Sequence, residues 1–459
     1  MPFSKVLVAN RGEVAVRVIR ALHELDVEAV AVYSQADEGS MHVRMADRAI
    51  CIGPPAASQS YLRIASVIAA ATTTRCDAVH PGWGFLAENP AFAEACADND
   101  LVFVGPTPEV MARMGNKASA RDEMGAAGVP LVPGTGPVTS GEVGRAADGL
   151  GYPVLVKAAA GGGGKGMRFV SVPDEIDSAY AMAAAEAEAA FGDGRLYLEK
   201  AIVPARHVEI QVLGDSRGGI LTVGERECSI QRRHQKLIEE SPSCALTPET
   251  REEMEATAER AARAIGYTNA GTFEFLVGAD GSFYFIELNA RLQVEHPVSE
   301  LVTGIDLVHE QLRVAADEPL THAGRAPRRG HAIEVRVNAE DPARDFMPMP
   351  GRLERFRPPL GPGVRVDTFV EDGAVVPPHY DSLLAKLIAW APDRELALAR
   401  CLRALNEFEV TGLPTTIGLA AEVIRSEAFS RGEYSTSYLE KHSPAEPSNS
   451  LLLGSEAAQ

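Results

Sequence analysis

Short apolar runs and helix-period runs alternate from the start of the chain. Residues 6–9 read as a strand, 10–13 as a turn, 14–25 as a helix, 29–33 as a second strand and 101–104 as a later one. Short β-branched runs separated by helical stretches predict a parallel sheet with helices on both faces. The first turn carries no G-x-G-x-x-G, which argues against a dinucleotide site. A second block opens with a strand at 153–157 that runs into the glycine-rich stretch 158–167. A helix at about 173–190, strands at 196–200 and 207–213 and a helix at about 248–265 follow. Next comes a hairpin, with one strand over 271–277, a Gly-Ala-Asp-Gly turn over 278–281 and a second strand from 283 onward. After residue 330 the pattern turns strand-rich (333–337, 353–356, 364–369) and ends in helices over about 392–407 and 415–426.

The second hairpin strand carries the clearest chemistry. If residues 285–295 are extended, Glu287, Asn289, Arg291, Gln293 and Glu295 share one face. Alternation alone favours an exposed, charged strand face. The partner strand, however, has a single charge, Glu274, and the turn brings it close to Glu287. Opposed carboxylates repel unless something neutralises them. Mg²⁺, which takes one or two carboxylates together with substrate phosphates, would do so.

The glycine run follows Lys157 and contains Lys165. Backbone N–H groups of consecutive glycines approach phosphate oxygens closely, and the lysines add positive charge. Met167 stands where a Walker A loop requires Lys-Ser/Thr, so a nucleotide phosphate under a mobile glycine flap is the better account. The stretch 225–236 gathers Arg226, Arg232, Arg233, Lys236 and His234, which suits an anion pocket or a charged surface loop. Cys228 inside it has no activating neighbour in the sequence. In 331–338, alternation sets Glu334, Arg336 and Asn338 opposite Ile333, Val335 and Val337. Arg336 as a paired surface residue and as a ligand contact both remain open.

Bulk properties bound these readings. A chain of 459 residues, 46% apolar, accommodates two or three domains. The net charge of -19 opposes a nucleic-acid surface but leaves room for a local basic pocket. The six cysteines show no C-x-x-C spacing and read as reduced thiols. No stretch approaches 18 uninterrupted apolar residues, so a cytoplasmic protein with no membrane partner is expected.

Taken in order, Val8-Ala9-Asn10-Arg11-Gly12-Glu13, His80-Pro81-Gly82-Trp83-Gly84-Phe85-Leu86, Gln231-Arg232-Arg233-His234-Gln235-Lys236, Asn289…Arg291…Gln293-Val294-Glu295-His296-Pro297, Gly330-His331-Ala332 and His379-Tyr380-Asp381-Ser382-Leu383 strongly resemble the biotin carboxylase family of ATP-grasp enzymes. The resemblance covers nearly the whole chain up to about residue 442. It implies a mixed α/β and α+β fold: a Rossmann-like N-terminal domain (1–115), an ATP-grasp domain (116–329) with a mobile lid at about 130–201, and an α+β C-terminal domain (330–442). Residues 443–459, rich in Ser, Ala, Pro and Glu, are expected to be a disordered tail.

The same resemblance implies residue roles. Lys117, Lys157, Gly163 and Gly164 would hold the ATP phosphates. Glu199, Lys200, Ile202 and His207 would take adenine and ribose, with Gln231 and His234 nearby. Glu274, Glu287 and Asn289 would hold Mg²⁺ (or Mn²⁺). Lys236, Arg291, Gln293 and the Val294 amide would orient bicarbonate, Glu295 would remove its proton, and Arg336 would face biotin. Trp83 stands where relatives often carry Tyr, in a loop close to biotin. No Met-Lys-Met motif occurs, so biotin is expected on a separate carrier protein, with a separate carboxyltransferase, as in acetyl-CoA and other acyl-CoA carboxylases of fatty acid biosynthesis. A homodimer is implied by family alone. The competing readings are another ATP-grasp carboxylate–amine ligase, which would not need the Lys236–Arg291–Glu295–Arg336 group, and a non-catalytic nucleotide-binding subunit.

Overall fold

The computed structural model describes residues 3–159, 166–233, 235–322 and 324–442, and these divide into two compact units. The first comprises Met1–Glu123, Arg206–Glu274 and Glu287–Gln459; the second comprises Met124–Ala205 and Phe275–Ile286. Gly163, Gly164, His234 and the tail 443–459 lie outside the described residues.

The first unit begins with a parallel five-stranded sheet made of β1 (Lys5–Val8), β2 (Glu28–Ser34), β3 (Arg48–Gly53), β4 (Ala78–His80) and β5 (Val102–Phe103), in the order β3-β2-β1-β4-β5. Helix α1 (Gly12–Glu24) buries Val14, Val18, Ile19 and Leu22. Its start is tied to the loop after β4, because the Asn10 side chain donates to the carbonyls of Pro81 (2.7 Å) and Trp83 (2.8 Å). Gly82 lies at φ +65°, and a Cβ there would sit 2.9 Å from Asn10 Nδ2, so this close approach requires glycine.

The second unit holds an antiparallel sheet of β6 (Gly134–Val138), β7 (Val154–Ala158), β8 (Met167–Val170) and β9 (Leu196–Lys200), in the order β6-β9-β7-β8. Alternate residues Val154, Val156, Leu196 and Leu198 pack against the helices Val143–Leu150 and Ile176–Phe191.

A nine-stranded sheet carries most of the polar chemistry. It contains β10 (Ala205–Gly214), β11 (Ile220–Arg232), β12 (Gln235–Ser241), β13 (Asn269–Gly278), β14 (Phe283–Asn289), β15 (Gly324–Arg325) and β16 (His331–Asn338), with the strands Val364–Thr368 and Leu383–Ala391. Its order is β14-β13-β10-β11-β12-β16, then Leu383–Ala391, then Val364–Thr368, with β15 beside β11. Helices Pro248–Ile265 and Arg394–Glu407 pack on it; the first is capped by the Thr247 hydroxyl and stops at left-handed Gly266. Among the described residues no helix is long and apolar enough to cross a membrane.

One expectation needs correction. Residues 285–295 do not form a continuous strand, because β14 ends at Asn289. The Ala290 N–H is given to the Glu88 carboxylate (2.8 Å) rather than to a neighbouring strand, and Pro297 sets the first turn of the helix His296–Thr303. Leu292 and Val294 are buried in the intervening loop.

Candidate active site

The site in the first unit is a set of buried charges on β10, β12, β13 and β16 and on the loop 290–295. Lys236, from the start of β12, donates to three carboxylates: Glu209 (2.5 Å), Glu274 (2.9 Å) and Glu295 (2.6 Å). Arg336, on β16, donates to Glu239 (2.6 Å) and to the second oxygen of Glu295 (2.8 Å). Both oxygens of Glu295, which is 0% exposed, therefore face cations. Burial alone would push this carboxyl up, but Lys236, Arg336 and Arg226 hold it well below the ordinary carboxylate range. Glu295 is thus an ionised acceptor.

Glu274 is the second focus. Lys236, Asn289 Nδ2 (2.8 Å) and Gln293 Nε2 (3.2 Å) donate to one oxygen, and His207 Nε2 lies 2.9 Å from the other. Against burial, Lys236 and His207 keep Glu274 well below its ordinary value. Glu287, on β14, is raised first by desolvation and then by Glu274, with Lys117 opposing. The predicted tension between the two hairpin carboxylates is therefore present. Glu274, Glu287 and Asn289 offer the hard oxygen donors that Mg²⁺ takes, although the Asn289 amide here turns its NH₂ to Glu274 and its oxygen to Arg291.

Arg291 donates to Glu88 (2.8 Å), Gln293 (3.0 Å) and Asn289 (3.0 Å). Hence Asn289, Arg291, Gln293 and Glu295 do converge, by hydrogen bonding in a loop rather than by strand alternation. Gln231 is buried on β11 opposite Lys236, and Lys117 starts the helix Lys117–Ala126.

In the second unit, Lys157 donates to Glu199 (2.8 Å) across the β7–β9 pair. Although burial opposes its charge, Glu199 raises the ammonium above its ordinary value. The Lys200 ammonium caps the Gly151 and Tyr152 carbonyls (2.8 and 2.9 Å), and the Lys200 backbone N–H goes to the Pro133 carbonyl (2.8 Å). Ile202, just past β9, is half-buried.

The basic stretch 226–236 does not form one anion pocket. Arg226 is fully buried and bonded to Glu209, Gln211, Ser299 and Thr272, while Arg232 and Arg233 pair with Asp345. Of the cations in the described part of the stretch, Lys236 alone bonds Glu274 and Glu295. Cys228 is buried and its thiol is pushed well above its ordinary value, so it is inert as a nucleophile.

Sequence reasoning missed Glu209, Glu239 and Lys386, and placed Glu334 only on the polar face of its strand. Glu209 shares alternate positions of β10 with His207, which was a usable signal. Lys386 is a lone cation in the otherwise apolar run Leu383–Ala391, another such signal.

Glu239 and Glu334 are directly opposed across β12 and β16 and both are 0% exposed. Burial pushes Glu239 up to about 7 and Glu334 well above its ordinary value. Neither Glu334 oxygen has a hydrogen-bond partner. The unfolded chain releases this proton near pH ~4.3, while the folded chain keeps it. Stability therefore falls as pH rises above that value. Glu334→Gln should remove this slope: its urea-unfolding free energy should match the wild type near pH 4.5 and exceed it increasingly toward pH 8. A constant difference across that range would mean that Glu334 is ionised in the folded protein.

Comparison with known proteins places this site. Residues 2–111 and 334–441 match the family models described as "Biotin carboxylase, N-terminal domain" and "Biotin carboxylase C-terminal domain". Residues 116–323 match "Carbamoyl-phosphate synthase L chain, ATP binding domain". The biotin carboxylase of Nostoc sp. is 51% identical, over 96% of this chain and 99% of its own length. The crystal structure of the Campylobacter jejuni biotin carboxylase–β-γ-ATP complex superposes with a TM-score of 0.90 at 45% identity, covering 96% of this chain and 99% of that one. The biotin carboxylase domain dimer of Hydrogenobacter thermophilus 2-oxoglutarate carboxylase, in complex with MgADP, ADP and bicarbonate, gives 0.88 at 46%, covering 96% and 98%. The expected architecture of Rossmann-like, ATP-grasp and α+β C-terminal parts is the one these structures share. With three matching domain models and about half of all residues identical to a curated relative, the chain belongs to the biotin carboxylase family of ATP-grasp ligases.

Proposed function

We infer that this chain carboxylates biotin with bicarbonate at the expense of ATP, the first half-reaction of a biotin-dependent carboxylase. The observation that carries the reading is the buried Glu295 carboxylate clamped by Lys236 and Arg336, with Glu274 on the same lysine. One ammonium and one guanidinium aimed at a buried anion form a site that an incoming carbonate can share. A simple carboxylate–amine ligase has no use for it.

Lys236, Arg291, Gln293 and the Val294 amide orient bicarbonate, and Glu295 takes its proton. The resulting carbonate oxygen forms a bond to the γ-phosphorus of ATP as the bond to ADP breaks, giving carboxyphosphate. Positioning and electrostatics dominate such a transfer, and the cations supply both. Carboxyphosphate releases CO₂ and phosphate; phosphate accepts the proton of the biotin ring nitrogen, which attacks CO₂. Arg336 stabilises the enolate that biotin becomes. Lys117, Lys157, Gly163, Gly164, Glu199, Lys200, Ile202, His207, Gln231 and His234 are proposed for the nucleotide contacts, each from its motif position. Mg²⁺, held by Glu274, Glu287 and Asn289 when bound, would draw negative charge from the phosphoryl group.

Biotin is proposed to arrive on a separate carrier protein and to leave toward a separate carboxyltransferase, as the family resemblance implies. A homodimer is proposed by analogy with the H. thermophilus domain dimer, and the cytoplasm as its location. The test is ATP cleavage with bicarbonate present. Stimulation by free biotin is expected; cleavage that ignores bicarbonate but responds to an amine would favour the carboxylate–amine ligase.

A further inference from the structure

The loop that carries Glu295 and the loop that carries Trp83 are tied together beneath the surface. Lys386 is 0% exposed, in register with Arg336 on one side and Asp367 on the other. Its ammonium donates to the Val294 carbonyl (2.9 Å), the peptide group directly before Glu295. The same ammonium lies 3.1 Å from Glu13 Oε2 and 3.7 Å from Asp367 Oδ2. The other oxygen of Glu13 accepts from the Trp83 indole N–H (3.1 Å). Asn10 fixes the backbone of that tryptophan through the Pro81 and Trp83 carbonyls. Asn10, Glu13 and Trp83 in turn line a cavity of about 240 Å³, with Arg11, Tyr380 and Asp381 among its other walls.

A buried ion pair is a poor source of stability, since well-packed apolar residues of similar volume often serve as well or better. Along its strand Lys386 is a lone charge, flanked by Leu384, Ala385, Leu387 and Ile388, all fully buried and apolar. What an apolar side chain cannot do is hold a backbone carbonyl and a carboxylate at fixed distances. We infer that Lys386 is a positioning residue for the loop 290–295, and that Glu13 couples it to Trp83, so that the wall of the cavity and the peptide bearing Glu295 keep one geometry. The inference rests on the biotin carboxylation reading and adds to it a residue pair that touches no substrate. Displacement of a reacting group by about 1 Å can cost about 10²-fold in rate, so the coupling is kinetic in effect.

The experiment uses the full chain and three variants: Trp83→Phe, the charge-balanced pair Glu13→Gln/Lys386→Met, and all three substitutions together. Removing both charges at once avoids leaving Glu13 unpaired; Asp367 keeps its partner Arg365. The pair should lower kcat/KM for bicarbonate and for free biotin by about 10²-fold and leave the KM for ATP within about twofold. Trp83→Phe should raise the KM for biotin in the wild-type background and do nothing further in the pair background, because non-additivity is the signature of a shared network. The protein has two tryptophans, so in a Trp390→Phe background the emission reports Trp83 alone. Bicarbonate should shift it when Lys386 is present and not in the pair variant. Additive losses, with emission indifferent to the pair, would overturn the coupling. A wild type that never cleaves ATP in response to bicarbonate would instead overturn the reaction itself.

Discussion

Glu295→Gln is expected to bind ATP as the unaltered chain does and to lose carboxylation by about 10²–10⁴-fold, the usual contribution of a positioned general base. The variant is isosteric, and the neighbouring helix His296–Thr303 is held by its own buried residues, so folding should survive. The amide cannot accept a proton at neutral pH. It also turns a donor toward either Lys236 or Arg336, both of which now meet a carboxylate oxygen. Without substrate these cations keep Glu295 ionised and weakly basic. Bicarbonate brings a second anion that shares Lys236, which weakens its hold on Glu295 and raises the affinity of Glu295 for the proton it must take. The measurements are nucleotide binding by calorimetry and bicarbonate-dependent ATP turnover with and without biotin. Turnover within tenfold of the wild type would remove Glu295 from the role of base.

How far this site was legible in the sequence depends on whether a partner lies nearby along the chain. The Glu274–Glu287 tension follows from a short hairpin, and it is present. The condition that 285–295 be extended throughout is not met, because Glu88 takes the Ala290 N–H and the Arg291 guanidinium from about two hundred residues away. No local pattern reports such a bond. The same holds for the basic stretch: four cations look alike in sequence, yet Arg226 is neutralised by Glu209, Arg232 and Arg233 by Asp345, and Lys236 reaches Glu274 and Glu295. Arg336, undecided from alternation, proves half-buried and doubly paired. Motif words fared better, since Asn10 binding Pro81 and Trp83 gives a physical reason for the 8–13 and 80–86 stretches to occur together. The buried charge of Lys386 was visible as a lone ionisable residue in an apolar strand, although its partners were not.

Lys236→Met should be the most damaging single change in the first unit, in stability as well as in rate. The ammonium is the common partner of Glu209, Glu274 and Glu295, and all three carboxylates are buried. Removing one partner of a buried ionic group typically costs about 3–5 kcal/mol, because the remaining charges stay desolvated. Arg226 still serves Glu209, Arg336 still serves Glu295 and His207 still serves Glu274, which limits the loss to that range. The pH dependence gives the sign. Glu274 and Glu295 have folded-state values below the unfolded one, so the stability they lend is present above pH ~4.3 and is lost as pH falls through the folded values. The deficit of the variant should therefore be largest near neutrality and shrink below about pH 4.3, as seen by urea unfolding at a series of pH values. Carboxylation should fall by about 10²–10³-fold, the cost of removing one preorganised donor, even in the fraction that remains folded. A variant as stable as the wild type at pH 7 would mean that Lys236 is not the cation that lets these three carboxylates share one buried site.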